Sequence, residues 1–402
     1  MPETKTRKAA AFKFGETRVG ELIKPASAPL ARHLNTPRSL SWLRALSVLA
    51  GLLAMVVGVG AVNGADDVLT NSRQTVNDIT NVRSFKANLF DADALATKYL
   101  VDGQGWGEYL VKLEDAATDL ARQENDEDAS IALAKNLPRA SVALGQLVKA
   151  DSEDKRSDAL HDSWSTLNSD LDVQSNKWIE ELAGRLDAKS KLPAFTFAFL
   201  VVPFGALIYA SVRHAKLTRR VLNVGLVGAV VLVGASGYLV SVNSVKSVSL
   251  SSGGARFSDV RQASEANVKI AMASSAANRV LLHNMNNDGQ ADASEVRSLI
   301  EQAYDNGLHG ESADAVGAFR ESFEAALTDA SADNFAQVNA SAETAKGALG
   351  DDVKARLESF NEDAEAQLAS NQRSRTLAVL LNVLAAISAG WGLSQPLRKY
   401  QR

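Results

Sequence analysis

The chain predicts an all-α integral membrane protein with four transmembrane helices and two extracytoplasmic antiparallel four-helix bundles. Three observations carry that expectation: four windows without charge, an internal repeat, and apolar residues spaced by three or four along the polar segments between.

The windows are residues 45–62, 193–212, 221–242 and 376–394, and none contains Asp, Glu, Lys, Arg or His. Each is 18 to 22 residues long. At about 1.5 Å per residue that length matches the roughly 30 Å hydrocarbon core of a bilayer. Val59 and Ala61 are small enough for a signal-peptide cleavage site, but the 44-residue tail ahead of the first window is long for a signal sequence. A signal-anchor helix is favoured. Pro203 stands midway along the second window, where a kink packed by neighbouring helices is the expected outcome.

Residues 38 to 103 recur at 219 to 284, shifted by 181. Arg38 falls on Arg219, Asp78 on Asp259, Leu89 on Ile270, Ala96 on Ala277 and Leu100 on Leu281. The unit that recurs is an apolar span joined to a polar helix, so the chain is one membrane-anchored module used twice.

Orientation follows from the basic residues. Residues 1–44, the loop 213–220 and the tail 395–402 hold sixteen of the 43 Lys and Arg but only three of the 47 Asp and Glu. By the positive-inside rule these pieces are cytoplasmic, so both termini lie inside a plasma-membrane protein and residues 63–192 and 243–375 lie outside. The outer segments keep 27 basic and 44 acidic residues, a formal balance of −17 behind the overall −4. That acidity excludes nucleic acid as their partner. The absence of cysteine removes disulfides, thiol catalysis and cysteine-bound metals.

Within the first outer segment Ile79, Val82, Phe85, Leu89, Ala92, Ala96 and Tyr99 form a helical stripe, answered in the second by Val260, Ala263, Ala266, Ile270, Ala273, Ala277 and Val280. Leu110, Leu113, Ala117 and Leu120, then Ile131, Ala134, Leu144 and Leu147, make two shorter stripes. Val296, Leu299 and Ala303, then Ala315, Phe319, Phe323 and Ala326, repeat them. Leu160, Trp164, Leu167, Leu171, Trp178 and Leu182 lead into the second span, and Phe335 through Leu368 into the fourth. Four antiparallel helices per segment is the economical packing, each segment beginning and ending in a helix continuous with a span. Ser244 to Leu250 is expected to prolong the third span as helix. Gly51, Gly58 and Gly60 in the first span, and Gly225, Gly228, Gly234 and Gly237 in the third, permit backbones to approach closely.

Chemistry is sparse. The five histidines are scattered at 33, 161, 214, 283 and 309, and HExxH, GxSxG, P-loop and GxGxxG patterns are all lacking. We expect no enzyme and no cofactor, and charged helix faces that are solvated surface. One turn carries a calcium-like spacing: Asn284, Asn286, Asp288, Gly289, Asp292 and Glu295 occupy positions 1, 3, 5, 6, 9 and 12 of an EF-hand loop. Asn284 stands where Asp is usual and Ala291 where a branched apolar residue is usual, so an Asn/Gly turn between helices is the competing reading. Cytoplasmic partner or topology candidates are Arg213, Lys216, Arg219, Arg220, Arg398 and Lys399, with lipid headgroups an equal claimant on them.

A bundle whose first and last helices run into a membrane is the architecture of bacterial sensor receptors, and the chain resembles a tandem pair of chemoreceptor-type sensor domains without a cytoplasmic signalling domain. With four spans, two outer helical segments, a short basic loop and the ending Leu397-Arg398-Lys399-Tyr400-Gln401-Arg402, it is similar to the actinobacterial GlnX-type membrane proteins. That resemblance implies a relay of glutamate/aspartate availability from an extracytoplasmic amino-acid-binding lipoprotein to a cytoplasmic serine/threonine kinase of the G type. A direct small-molecule sensor and a structural protein of an envelope complex are the alternatives.

Overall fold

The computed structural model describes residues 36–103, 106–122, 172–190, 192–218, 223–251, 254–286 and 291–400, with isolated positions between 138 and 165. Among these residues every regular element is a helix. In chain order they are α1 (Thr36–Asp102), α2 (Trp106–Ala121), α3 (Asp172–Ser190), α4 (Leu192–Thr218), α5 (Val224–Leu250), α6 (Ala255–Asn286), α7 (Ser294–Asp305), α8 (Glu311–Thr328) and α9 (Ala332–Tyr400). The expected stripe residues 131, 134, 144, 147, 160, 164, 167 and 171 lie outside the described residues.

The two longest helices each join an apolar window to a polar stripe. Helix α1 has 67 residues and α9 has 69. Pro37 sits in the first turn of α1, where its missing N–H is no loss. The helix stops at Gly103, whose φ of 71° is left-handed backbone and whose N–H reaches the Tyr99 carbonyl at 2.9 Å. Three stretches are long and apolar enough to cross a membrane: Arg38–Asp102, Val224–Asn286 and Ala332–Ser394. Each has more than 60 residues, roughly three times what a bilayer core accepts, so only its apolar end fits there.

The third window behaves differently from the first. Ser244 to Leu250 does prolong it as helix, but α5 ends at Leu250 and α6 restarts at Ala255, so span and polar helix are two pieces here rather than one. Serine hydroxyls turn back onto the backbone at the stop. Ser249 Oγ bonds the Lys246 carbonyl at 2.8 Å and Ser251 Oγ the Val248 carbonyl at 2.6 Å, offering the backbone a local alternative to the ladder before Gly253 and Gly254.

The chain forms two compact units. One comprises Met1–Val57, Phe199–Gly237 and Val379–Arg402. Its core is Leu43, Ala50 and Ala54 of α1, Leu207 and Ala210 of α4, Leu226, Ala229 and Val233 of α5, and Ala385, Ala389 and Leu393 of α9. Small residues dominate inside while Leu49, Val56, Val231, Ile387 and Trp391 are all more than 60% exposed. That inversion suits a surface solvated by lipid tails, where close backbone packing rather than hydrophobic expulsion holds helices together. Gly51, Gly225 and Gly228 do make the expected close approaches, to Ala386, Gly392 and Ser388 of α9, whereas a side chain at Gly60 would meet nothing within 4 Å.

The other unit comprises Gly58–Ala198 and Tyr238–Ala378. The polar part of each copy belongs to it, and one hydrophobic cluster joins Val76, Phe85, Leu89 and Trp178 of the first with Val260, Ile270, Phe319 and Phe360 of the second. The second-copy stripes on α6, α7, α8 and α9 are buried as the spacing predicts, except that Val280, Leu357 and Leu368 are half-buried. On α2 the buried face is turned by one residue: Tyr109, Ala116, Asp119 and Leu120 are inside, while Leu110 is half exposed and Ala117 is exposed. Tyr109 stacks on Trp106 with ring centroids 4.6 Å apart, and Asp119 accepts a hydrogen bond from Asn88 at 2.9 Å. Those two contacts turn the helix away from its simplest apolar stripe.

Candidate functional site

Where the two copies meet, α1 and α6 run side by side in the register of the repeat. Arg83 Nη1 donates to Ser264 Oγ at 2.8 Å, and the two positions are 181 apart, the repeat shift itself. The same guanidinium bonds the Arg261 carbonyl and pairs with Glu265 at 3.0 Å. Ten residues further along α1, Asp93 accepts hydrogen bonds from Ser275 and Arg279 of α6, and Asn278 Nδ2 reaches the Ala94 carbonyl at 3.1 Å. Equivalent turns of the two copies are therefore neighbours.

This seam is charged and dry. Asp93 has no exposed surface, and Arg83, Lys86, Asp91 and Lys346 are each less than 9% exposed. Lys346 of α9 donates to Asp91 at 2.8 Å and pairs also with Glu343, while Lys112 of α2 stands 3.6 Å from the same aspartate. Desolvation opposes the Lys346 charge, but Asp91 and Glu343 more than reverse it and the pKa is raised. Charges so buried are costly unless paired, which is why each has a partner of opposite sign. The expectation that charged helix faces are solvated surface fails here. Arg83, Lys86 and Asp93 adjoin the apolar positions 82, 85 and 92 along α1, so a second helix packed on that stripe buries them too.

Lys86 is the exception in balance. Its ammonium touches Asp172 of α3 and lies 3.4 Å from Asn176 Oδ1. Burial is nevertheless the largest influence and, with Lys269 and Arg83 nearby, pushes its pKa down to about 7 against the pull of Glu265. The unfolded chain holds that proton up to the ordinary lysine range near 10.5, so between pH 7 and about 10 the folded state binds fewer protons. Stability from this group therefore rises with pH across that window and is lost below it. Melting of the solubilised chain at pH 7 and pH 9.5 should show a rise in Tm that is smaller in Lys86→Met; an unchanged rise would assign it to other groups.

A second polar layer ties α1, α5 and α9. Asn371 Nδ2 donates to Asp66 at 2.7 Å and to Ser247 Oγ at 2.9 Å, and positions 66 and 247 are again 181 apart. Gln367, Ser370 and Ser374 bond Asn243 from the same side. In the other unit Asn223 caps α5 through the N–H groups of Gly225 and Leu226, donates to the Gly392 carbonyl at 3.0 Å and meets buried His214 at 3.3 Å.

Of the residues singled out in the sequence, some fall among the described residues and some do not. Asn284 and Asn286 lie in the last turn of α6, and Asp288 and Gly289 are outside the described residues. Asn284 Oδ1 accepts from Ala291 N–H at 2.7 Å, Asp292 accepts from the Ser294 backbone at 2.8 Å, and Glu295 is in the first turn of α7. Among the described residues no three His, Asp or Glu side chains are grouped to hold a metal. Arg213 is half-buried and Lys216 exposed near the end of α4. Arg219 and Arg220 are outside the described residues, and Arg398 and Lys399 fall in the last turn of α9. A cleft of about 550 Å³ lies along α7 and α8, lined by Arg297, Ile300, Glu301, Tyr304, Asp305 and Arg320, with Arg297 held in a two-bond fork by Glu324.

Compared with protein-family models and with curated proteins, the chain matches none.

Proposed function

We propose that the chain is a transmembrane signal relay, in which a contact on the helical unit 58–198 and 238–378 changes the axial or rotational setting of the helices that continue into the apolar unit. The observation that carries this reading is the continuity of α1 and α9, each unbroken from an apolar window through the polar contacts at Asp66, Asp91, Asn371 and Lys346. A helix is stiff along its axis, so a shift imposed at one end is delivered at the other. A seam of discrete hydrogen bonds and ion pairs supports two settings better than a continuum.

In this reading α4 is a fourth span. It contributes Leu207 and Ala210 to the apolar core and exposes Val201, Val202, Ile208, Tyr209 and Val212. Both termini are then cytoplasmic, as is the basic segment 213–220, which begins in the last turns of α4, and the polar helices are extracytoplasmic. Output in this reading passes to a cytoplasmic partner. From the resemblance we take that partner to be a serine/threonine kinase and the input an amino-acid-binding lipoprotein, with glutamate or aspartate as the signal.

Crosslinking and pull-down from native membranes tests it. Recovery of a solute-binding lipoprotein outside and a kinase inside is expected, and Arg219→Glu with Arg220→Glu should cut kinase recovery about tenfold with insertion unchanged, the loss of a few charge pairs. Undiminished recovery would reduce these arginines to topology determinants. Recovery of neither partner, with the membrane-inserted chain abundant, would overturn the relay.

A further inference from the structure

The repeat and the seam together carry a conclusion about which helix can pair with which. Shifting each seam residue by 181 shows how unlike the two faces are. Arg83 of α1 corresponds to Ser264 of α6, Lys86 to Asn267, Asp91 to Met272 and Asp93 to Ser274. One copy presents charges and the other presents mainly small or neutral side chains at the same depth. The charges that α6 does bring, Glu265 and Arg279, correspond to Ser84 and Lys98 of α1.

We infer that the seam is a pairing code, in which Arg83 with Glu265 and Asp93 with Arg279 make the first copy accept the second copy of the same chain and reject its own like. The alternatives can be worked through in register. In a pair of two α1 helices, Arg83 would meet another Arg83 where Ser264 now sits and Ser84 where Glu265 now sits. Lys98 could still serve Asp93, so Arg83 is what forbids this pair. In a pair of two α6 helices, Arg279 would meet Ser274 in place of Asp93 and lose the carboxylate it bonds across the seam, with Glu295 of its own copy left as counter-charge. Each like-with-like pair thus strips a buried guanidinium in both helices of the carboxylate it bonds across the seam, and the mixed pair strips none. Breaking one partner of a buried pair costs far more than the pair itself contributes, so rejection is stronger than attraction. A duplicated membrane module has an evident hazard in pairing with modules of neighbouring chains, and this asymmetry confines the pairing within one chain.

The native chain has no cysteine, which gives a clean background for disulfide mapping in the full-length protein in its membranes. Ala87 and Val268 are in register at a shift of 181 and both buried in the shared core, outside the charged contacts. With Ala87→Cys and Val268→Cys together, oxidation is expected to give an intrachain disulfide. Either cysteine alone is expected to give no interchain dimer. Adding Glu265→Arg should lower the intrachain yield at least about fivefold, and adding Arg83→Glu to that variant should restore most of it, as charge-pair swaps do when the pair sets specificity. A second measurement uses two differently tagged full-length copies. They should not co-purify in the native form, but should do so when Arg83→Ser and Arg279→Ser remove both mismatched guanidiniums. Interchain dimers from the single cysteines, an intrachain yield indifferent to Glu265→Arg, or no co-purification of the doubly substituted copies would each overturn the code. These readouts concern assembly alone, so they stand or fall separately from the relay.

Discussion

Asp93→Ala is expected to lower the stability of the solubilised full-length chain by about 3–5 kcal/mol, the range for stranding one member of a buried ion pair. Asp93 is wholly buried, and Ser275 and Arg279 of the other repeat both donate to it. Removing the carboxylate leaves the Arg279 guanidinium without its counter-charge in the core. The side-chain surface of that arginine is only 15% exposed, so water cannot take over the role. Removing the arginine as well should recover most of the loss: Asp93→Ala with Arg279→Leu exchanges a charged pair for an apolar one, which is often neutral. The exposed pair of Arg256 and Asp363, 3.2 Å apart, gives the contrast, since Asp363→Ala should leave Tm unchanged. Thermal unfolding in detergent decides the matter. A Tm for Asp93→Ala equal to that of Asp363→Ala would mean the seam is wetter and looser than its geometry.

Periodicity made the elements legible and left their partners unstated. Phe319 and Phe323, or Ala342 and Ala345, could be placed on buried helix faces from spacing alone, and the structure buries them. The stripe from Ile79 to Ala96 likewise marks an apolar face without saying what covers it. One partner helix would leave Arg83, Lys86 and Asp93 at the wet margin of that face. Packing both copies around one core widens the buried sector by another helix and takes those charges inside. The hint was present in the repeat: a charged residue in one copy aligned with serine or asparagine in the other marks a face that two identical partners could not share. The stop at Leu250 was similarly hidden, because valine and serine alternate there with good apolar character. The hydroxyls of Ser249 and Ser251 bond back to the carbonyls of Lys246 and Val248 at that end.

Gly225→Val should disrupt the apolar unit more than any other single glycine change within it. A Cβ at that position would lie 2.4 Å from the Ser388 carbonyl oxygen and 2.6 Å from the Gly392 Cα, and both obstacles are backbone, which cannot rotate away. The two helices must separate locally, and two interhelical contacts, together with the cap residue that makes one of them, depend on their closeness. Ser388 Oγ donates to the Gly225 carbonyl at 3.0 Å, Asn223 Nδ2 donates to the Gly392 carbonyl, and Asn223 Oδ1 caps the start of α5. Overpacking of this kind costs about 1–3 kcal/mol before any hydrogen bond is lost, and interhelical bonds in membranes add about 0.6 kcal/mol each. Gly60→Val supplies the comparison, because nothing lies within 4 Å of its added Cβ. Melting in detergent should show a large drop for Gly225→Val and a small one for Gly60→Val. Gly392→Ala should behave like the former, since its Cβ would approach Asn223 Oδ1 to 2.5 Å. Equal tolerance at positions 60 and 225 would show that α5 and α9 do not cross at these glycines. If the drop is found, the Gly225–Gly392 crossing is a fixed point of the apolar unit, and any motion delivered by α9 has to turn about it rather than slide past it.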